Sequence, residues 1–306
     1  MNNLYTMITS CRVCGGEQLE SILNLGELYI SDFIKPGDAE HKAPLELVIC
    51  NGCSLVQLRH TVSRDLLYRD TPYYYHSSAN KSMVRALKDV VEDACSRVHL
   101  WPQDKVLDIG CNDGTLLSFY PTHIDTYGYE PAWNIWEVAK KKRVGCIYPT
   151  YFPHLATTSN EYKVITSIAQ LYNVDDLNAY VRTIKKILRK DGIWIVQMQD
   201  LEGMIACNGL DNICHEHVTY FSKTSMDNML AKHGLIITNE SHNLTNGGSV
   251  RFVITHSDVI ASPCKTLHSS LYRFKMHIED NKVNTVNLLH SLKLQGRSVI
   301  GLAAST

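Results

Sequence analysis

The sequence predicts an α/β fold with a doubly wound parallel sheet, a small cysteine-rich lobe before it and the start of a second α/β domain after it. Three observations predict this architecture. Strand-like and helix-like segments alternate from residue 81 to 197, two Cys-x-x-Cys pairs precede them, and a strand-like segment closes the chain. The predicted boundaries are residues 1–68 for the lobe, 69–243 for the sheet domain and 244–306 for the incomplete last domain.

The composition excludes several classes of protein. A net charge of −1 over 306 residues gives no basic field for nucleic acid or an anionic membrane. The longest apolar runs, such as residues 192–196, are too short to span a bilayer. Residues 1–5 lack the basic and apolar regions of a secretory signal, and ten cysteines without such a signal favour a reducing compartment. We therefore expect a cytoplasmic protein.

The cysteine-rich lobe carries two knuckles, each made of two thiols separated by two residues. They are Cys11 with Cys14 and Cys50 with Cys53, and 35 residues lie between the two pairs. Four thiolates suit tetrahedral Zn²⁺, and such a closed site has no open position for chemistry. The pattern therefore predicts a structural zinc ion, with free thiols or a redox pair as the alternative.

A glycine-rich turn follows the first strand of the predicted sheet, within residues 105–117, and a helix is expected after it. Gly110 and Gly114 flank three residues, and Asn112 stands where a dinucleotide-binding loop would have its second glycine. Asparagine tolerates left-handed dihedrals, so the turn can still close. A pyrophosphate would approach less easily without that glycine. The loop therefore favours S-adenosylmethionine over NAD.

The second strand, residues 126–131, ends in an acid, Glu130, twenty residues after Gly110. A carboxylate at that distance can accept hydrogen bonds from both ribose hydroxyls, whereas a solvated strand end is the alternative. The predicted cofactor-binding residues are Asp108, Gly110, Cys111, Asn112, Asp113, Glu130 and Pro131.

The alternation of elements continues on both sides of this loop. Apolar residues at 83, 87, 90 and 91 predict a helix before it. A strand at 164–168, a helix at 176–188 and a strand at 193–197 follow. The ligand should therefore lie at the carboxyl ends of the strands.

The densest group of titratable side chains comes after the last of these strands. Cys214, His215, Glu216 and His217 are consecutive. A carboxylate beside an imidazole can fix its tautomer and raise its basicity, so the segment predicts an acid–base site rather than a polar surface turn. Residues 73–75 are three successive tyrosines, and either one of them lines a pocket or all of them pack.

The last third of the chain gives weaker signals. Residues 246–254 predict a hairpin turn and an outer strand, with a surface arginine at 251 or, alternatively, a phosphate contact there. Apolar residues from 267 to 289 predict an amphipathic helix. Residues 298–304 resemble the opening of a further βα unit, so either the sequence is truncated at Thr306 or the missing half of that unit comes from elsewhere.

Together these motifs resemble the nucleotide-sugar C-methyltransferases of deoxysugar biosynthesis, over residues 11–306. The resemblance rests on the two knuckles and on residues 73–78, 106–114, 129–131, 214–220 and 247–251. It implies an N-terminal zinc lobe, a central Rossmann-like domain that binds S-adenosylmethionine, and a C-terminal α/β domain. It also implies that a base removes a proton beside a keto group, and that the resulting enolate attacks the methyl group.

The resemblance implies the catalytic set as well. Glu216 and His217 match the Glu and the second His of the family's His-Glu-His site, and Tyr73 or Tyr75 matches an upstream tyrosine. Two positions depart from the family, because Cys214 replaces a tyrosine that acts as base and Tyr172 stands where a histidine is found. The implied catalytic residues are His215, Glu216, His217, Cys214, Tyr172 and Tyr75.

The predicted function is methyl transfer to a carbon of a nucleotide-linked keto-sugar. Because Cys214 replaces the tyrosine that acts as base in the family, methyl transfer to an oxygen or nitrogen atom of the sugar remains an alternative. The residues are also compatible with an NAD-dependent sugar oxidoreductase, with a zinc-bearing scaffold that binds a partner, and with a catalytic metal held by His215 and His217.

Overall fold

A computed structural model gives the structure of the chain and describes residues 4–30, 40–70, 72–142, 144–156, 159–258 and 268–300. The strands are β1 (Tyr5–Met7), β2 (Leu19–Tyr29), β3 (Lys42–Cys50), β4 (Val56–Leu58), β5 (His60–Val62), β6 (Lys105–Ile109), β7 (Asp125–Tyr129), β8 (Cys146–Tyr148), β9 (Tyr162–Ile168), β10 (Leu188–Gln199), β11 (Thr219–Tyr220), β12 (Leu235–Asn243) and β13 (Ser249–His256). The helices are α1 (Arg64–Tyr68), α2 (Lys81–Arg97), α3 (Trp133–Lys141), α4 (Leu177–Ile187), α5 (Leu201–Cys207), α6 (Lys223–Lys232) and α7 (His268–Leu294).

The central sheet has seven strands in the order β12-β13-β10-β9-β6-β7-β8. The five strands from β10 to β8 are parallel, and β13 and β12 add an antiparallel edge. The chain runs outward from β6 to β8 and then returns to β9 on the other side of β6. This reversal makes the carboxyl ends of β6 and β9 the switch point at which such sheets bind ligands. The prediction of a Rossmann-like, doubly wound fold is confirmed.

Helix α4 shows how local sequence produces this architecture. The Asp176 side chain accepts a hydrogen bond from the Ala179 amide and caps the first turn. Leu177, Val181 and Ile184 form one fully buried face, which packs in the same apolar cluster as the strands of the central sheet. The predicted helix at 176–188 therefore forms, and it ends at Ile187.

The helix expected directly after the glycine loop is absent from the described residues. Residues 117–119 make a single 3₁₀ turn, and Tyr120 is extended, with a ψ of 146°. Pro121 follows Tyr120 and disfavours helical dihedrals at the residue before it. The expectation of a helix was wrong for this reason, and the first long helix after the loop is α3.

The N-terminal lobe contains a four-stranded antiparallel sheet in the order β11-β4-β3-β2. Its edge strand β11 comes from the segment after the His-Glu-His residues, with Thr219 opposite Gln57. Arg12, on the first knuckle, donates to the carboxylate of Asp175 at 2.9 Å. Asn178 in α4 donates to the carbonyl oxygens of Arg12 and Val13. These bonds attach the knuckles to the central domain.

The segment after the predicted boundary at 244 differs in part from the sequence expectation. Strand β13 pairs with β10 inside the central sheet, because its buried apolar residues complete that sheet. Arg251 is 6% exposed and forms ion pairs with Asp89 and Asp93 of α2, which leaves it neither on the surface nor free for a phosphate. The division into domains stays a prediction.

Helix α7 follows the predicted amphipathic pattern in its first half. Leu271, Phe274 and Ile278 are buried against the sheet of the lobe and α5. Residues 298–300 have no regular secondary structure, and the rest of the strand expected at 298–304 lies outside the described residues. Among the residues described, no helix combines the length and apolar character that a membrane crossing would require.

Candidate active site

The candidate site lies at the switch point, where the loops after β6 and β9 touch. Gly110 follows β6 with a φ of +74°, which favours glycine. A Cβ atom at this position would lie 2.6 Å from Cγ of Gln170, which follows β9. The amides of Gly110 and Cys111 both donate to the carbonyl oxygen of Tyr129, at the end of β7. The three strand ends are thereby held together.

Glu130 holds the loop from the neighbouring strand. One carboxylate oxygen accepts from the Asn112 amide at 3.0 Å, and the other accepts from the Ala132 amide at 2.8 Å. Burial raises the pKa of Glu130 to about 7, although these two amides oppose the rise. Each oxygen keeps a further lone pair. The position and the spare acceptors fit the ribose hydroxyls of S-adenosylmethionine.

Asn112 adopts the left-handed conformation expected for it, with a φ of 49°. Its side chain accepts from the Ser77 amide and donates to the Tyr75 carbonyl oxygen. The Asp113 carboxylate accepts from the Ser78 amide and pairs with Lys142 at 3.2 Å. Both side chains therefore tie the tyrosine segment to the loop and are occupied by protein partners.

Two other residues expected to contact the cofactor lie beneath the loop. The Asp108 carboxylate accepts from the Thr166 hydroxyl at 2.6 Å, and burial raises its pKa to about 7. Cys111 is buried, and its sulfur lies where a Cβ atom on Gly128 would fall. Both side chains therefore pack within the protein and stabilise the loop. Pro131 follows Glu130 and is half-buried.

The tyrosine segment is fastened to the loop after β6 at Asn112 and to helix α3. Asn134, in the first turn of α3, accepts from the Tyr73 amide and donates to its carbonyl oxygen. The ring of Tyr73 lies 5.5 Å from the ring of Tyr68, between centroids. Tyr73 is half-buried, whereas Tyr75 is 43% exposed at the rim. The segment therefore points its tyrosines in different directions.

The two histidines of the His-Glu-His segment point to different places. His215 is 2% exposed, and its Nε2 donates to the carbonyl oxygen of Ala43 in β3, at 3.0 Å. Nδ1 of His217 lies 2.9 Å from the carbonyl oxygen of Asn212. A carbonyl oxygen only accepts, so Nδ1 carries the proton and Nε2 has the free lone pair. His215 anchors the lobe, and His217 is the imidazole on the crevice.

Glu216 and Cys214 flank His215 in the sequence, and burial raises the pKa of each. Burial raises the pKa of Glu216, and the Glu216 charge in turn helps to raise the pKa of Tyr68 and Tyr73. Burial, with the Glu216 charge second, raises the pKa of Cys214 to about 11. The thiol therefore stays protonated near neutral pH, which disfavours Cys214 as a thiolate base.

Tyr172 completes the group. It follows β9, and its ring centroid lies 4.3 Å from that of His217. Burial and the nearby Cys214 and Glu216 groups raise its pKa, so the phenol is a donor at neutral pH. A small cleft beside His217 is lined by Tyr172, Gln199 and Tyr220, among others.

The sequence reasoning missed three of these residues. Gln170 could have been found, because it follows a predicted strand at the edge that binds ligands. Tyr68 and Tyr220 carry no local signal. Tyr220 lines the cleft beside His217 because β11 pairs with β4 of the lobe, and the ring of Tyr68 contacts that of Tyr73.

The four cysteine sulfurs of the lobe lie within 4.8 Å of one another. Cys11 and Cys53 sulfurs are 3.6 Å apart, and those of Cys14 and Cys50 are 3.4 Å apart. A tetrahedron with Zn–S bonds of about 2.3 Å has edges of about 3.8 Å, so the group fits zinc. Across the described ranges, no other set of three or more Cys, His, Asp or Glu side chains comes together in this way. His215 and His217 are therefore not joined there by a third ligand.

Comparison with known proteins agrees with both parts of the structure. A family model described as "Methyltransferase domain" matches residues 79–240, more than half of the chain. A second model, described as "Putative zinc binding domain", matches residues 11–68.

Individual relatives are more distant. The chain is 26% identical over 261 residues to the C-methyltransferase NovU of Streptomyces niveus, covering 82% of this chain and 61% of NovU. It therefore spans about three fifths of that relative's length.

Two solved structures are similar to part of the chain. A methyltransferase from Clostridium acetobutylicum that depends on S-adenosylmethionine has 12% identity and a TM-score of 0.47, covering 57% of this chain and 92% of its own. The magnesium protoporphyrin IX methyltransferase of Synechocystis, with bound SAH, has 16% identity and a TM-score of 0.47, covering 60% and 91%.

The predictions of a fold that binds S-adenosylmethionine and of a four-cysteine zinc lobe are thus confirmed. The loop after β6 and the carboxylate of Glu130 meet at the carboxyl ends of β6 and β7, and their contact with the cofactor stays a prediction. The chain belongs to the methyltransferase domain family.

Proposed function

We propose that this protein transfers the methyl group of S-adenosylmethionine to a carbon atom of a nucleotide-linked keto-sugar. The observation that carries the proposal is the contact after β9, where the ring of His217 lies 4.3 Å from that of Tyr172 beside a small cleft, with Nε2 of His217 left as an acceptor. The similarity to NovU, a C-methyltransferase by name, supports a carbon acceptor.

The loop and Glu130 would hold the nucleoside. S-adenosylmethionine, when bound, supplies an electrophilic methyl group on a positively charged sulfur. Glu130 would accept hydrogen bonds from the ribose hydroxyls, because its two oxygens are already aimed by backbone amides. Burial raises the pKa of Glu130 to about 7, and two hydroxyl donors would stabilise its carboxylate form.

His217 is the base in this proposal. A carbon beside a carbonyl group must lose a proton before it can form a bond to a methyl group. Burial lowers the pKa of His217, so the imidazole is neutral near pH 7, and its tautomer leaves Nε2 as the acceptor. Cys214 is the poorer candidate, because burial raises its pKa to about 11.

The phenols act as donors to the acceptor's oxygen. Negative charge develops on the carbonyl oxygen as the proton leaves, and protonated phenols beside it stabilise that charge. Tyr172 and Tyr73 remain protonated at neutral pH, because burial raises the pKa of each. His215 has no direct part in this chemistry, because its imidazole binds Ala43.

The proposed acceptor and location rest on separate arguments. A nucleotide-linked keto-sugar supplies the acidic carbon, and the resemblance of the motifs to nucleotide-sugar enzymes supports this class. A reducing compartment such as the cytoplasm suits four thiols that are to hold zinc.

The test offers the full protein S-adenosylmethionine with a ¹³C-methyl group and a panel of dTDP-, GDP- and CDP-linked keto-sugars. Mass spectrometry should detect the gain of one methyl group, and NMR should show it attached to carbon. Attachment to oxygen or nitrogen would show an O- or N-methyltransferase instead of a C-methyltransferase. Binding of S-adenosylhomocysteine without turnover of any acceptor would support a scaffold and contradict the proposal.

A further inference from the structure

The side chain of Gln170 lies directly on the loop that follows β6. Its Cγ atom is 2.6 Å from the point where a Cβ atom on Gly110 would stand, so a glycine at that position leaves room for it. Ala169, just before it, has a φ of 52°, and its amide donates to the carbonyl oxygen of Gln197 at 2.8 Å. This φ is strained for alanine, and such strain persists where the surrounding structure fixes a functional residue. The end of β9 therefore holds Gln170 across the switch point.

A buried chain of hydrogen bonds fixes the orientation of the Gln170 amide. Nε1 of Trp194 donates to the Ser167 hydroxyl at 3.0 Å, and that hydroxyl lies 2.8 Å from the Tyr180 hydroxyl. The Tyr180 hydroxyl donates to Oε1 of Gln170, also at 2.8 Å. Because an indole N–H can only donate, this is the order in which each hydroxyl proton finds an acceptor. The amide oxygen of Gln170 is thereby turned toward the core.

The amide nitrogen of Gln170 stays accessible at the switch point. The residue is partly exposed, and no described residue accepts a hydrogen bond from its Nε2 atom. That atom is not sealed from solvent either. The amides of residues 110–112, beside it, already donate to Tyr129 and Glu130. Nε2 is therefore a free donor next to three backbone donors that are in use.

The shape of the cofactor decides what this donor meets. With the ribose hydroxyls on Glu130 after β7, the methionyl arm has to run toward β9, because the sulfur must face His217, which contacts Tyr172 there. Strand β6 lies between β7 and β9, so the arm crosses about 10 Å of sheet edge over Gly110 and ends at Gln170. The sulfonium and ammonium groups of that arm accept no hydrogen bond, so its carboxylate is the acceptor.

We propose that Nε2 of Gln170 binds the carboxylate of the methionyl part of S-adenosylmethionine, with Tyr180 as a positioning residue that orients the amide. The inference rests on the proposed function for the direction of the cofactor. It adds a recognition element that the glycine loop and Glu130 do not supply. Hydrogen bonds to a carboxylate are stronger than those between neutral groups, so Gln170 gives the site a preference for ligands that keep this group.

The test measures two dissociation constants by calorimetry, without any methyl acceptor. The ligands are S-adenosylhomocysteine and its decarboxylated analogue, S-adenosyl-3-thiopropylamine. Gln170→Met keeps the bulk of the side chain over Gly110 and removes the donor. It should weaken binding of S-adenosylhomocysteine about 10- to 100-fold, the range for a hydrogen bond to a charged group, and leave binding of the analogue unchanged. Equal losses for both ligands, or no loss for either, would overturn the proposal.

Two further variants of single glutamines sharpen this result. Gln170→Glu can still accept from Tyr180, but it sets a second carboxylate against that of the ligand. At pH 8 it should therefore weaken S-adenosylhomocysteine binding more than Gln170→Met does, and a tighter complex would contradict the proposal. Gln18→Met is the matched control, because Gln18 is exposed in the lobe, and it should change neither constant.

The positioning role of Tyr180 has its own readout. Tyr180→Phe releases the Gln170 amide and should reduce the preference for S-adenosylhomocysteine over the analogue by a few fold. In the Gln170→Met background the same substitution should leave that preference unchanged. Equal weakening of both ligands by Tyr180→Phe would assign the tyrosine a structural role only and overturn this part of the proposal.

These binding measurements keep the inference separate from the proposed function. A selective loss in Gln170→Met would support the carboxylate subsite even where no nucleotide sugar is methylated. Methyl transfer to a sugar, combined with unchanged affinity in Gln170→Met, would support the proposed function and overturn the subsite.

Discussion

The rings of Tyr172 and His217 lie 4.3 Å apart between centroids, tilted by 60°. The first follows β9 and the second precedes β11, so this contact joins the switch point of the sheet to the segment that continues into the lobe. The Thr219 hydroxyl, which donates to the Tyr172 carbonyl oxygen, strengthens the junction. The imidazole thereby reaches the crevice although it belongs to a distant stretch of sequence.

His217→Ala should abolish most turnover and leave cofactor affinity intact. A general base contributes about 10²–10⁴-fold to a rate, so kcat should fall by at least about 100-fold. Calorimetry should give an unchanged dissociation constant for S-adenosylhomocysteine, because His217 lies outside the loop that holds it.

His215→Ala is the matched comparison. Its loss removes a buried hydrogen bond to Ala43 and should cost about 1–3 kcal/mol of unfolding free energy. The folded fraction should keep kcat within a few fold. A loss of kcat as large as that in His217→Ala would show that the two histidines share the chemistry.

The pH dependence of kcat/KM follows from the state of His217. Burial lowers its pKa below the ordinary value of 6.5, so the neutral base persists into mildly acidic solution. Activity should stay level from pH 8 to about 6.5 and fall only below that value. An acidic limb centred above pH 7 would contradict a buried imidazole base.

The same shift has a consequence for stability. A histidine with a lowered pKa in the folded state binds fewer protons than it does in the unfolded chain. Its contribution to the unfolding free energy is therefore present above pH 6.5 and is lost as the pH falls toward the folded pKa. His217→Gln should reduce this acid sensitivity, as chemical denaturation at several pH values can measure.

Asn112→Ala should weaken cofactor binding in two ways. The left-handed conformation costs about 1 kcal/mol of free energy for alanine. The substitution also removes the two hydrogen bonds of the Asn112 side chain to Tyr75 and Ser77. Asn112→Gly restores the dihedral freedom but not the bonds. If the bonds matter, the dissociation constant of S-adenosylhomocysteine should remain raised in both variants, and full recovery in the glycine variant would assign the effect to the backbone alone.

Zinc analysis should find one ion per chain. Cys50→Ser should lose it and unfold at a lower temperature, because the knuckles pack against α4 and α6 through Asn178 and Asn228. Cys95→Ser is the control, since Cys95 lies outside the cluster and is exposed. A wild-type protein that purifies folded and active without zinc would contradict the structural role.

Much of the fold of the central domain could be predicted from the sequence, because the sequence signals for its elements are local. The helix after Asp176, the glycine turn at 110 and the acid at 130 each follow from neighbouring residues and the period of the strands. The alternation of strands and helices then predicted that the ligand lies at the carboxyl ends of the strands.

Other positions depend on contacts that no local pattern contains. His215 and His217 are two residues apart, yet one binds the lobe and the other lines the crevice, because a turn separates them. Arg251 can be buried because it forms ion pairs with Asp89 and Asp93 of α2, which are distant in the sequence. Tyr220 lines the cleft beside His217 only because β11 pairs with β4 of the lobe.

The most direct test of the central claim is a crystal structure with S-adenosylhomocysteine and a nucleotide sugar bound. We predict adenosine hydroxyls on Glu130 and the acceptor carbon between the sulfur and Nε2 of His217. A sulfur atom facing away from His217, or a cofactor bound at another edge of the sheet, would contradict the claim.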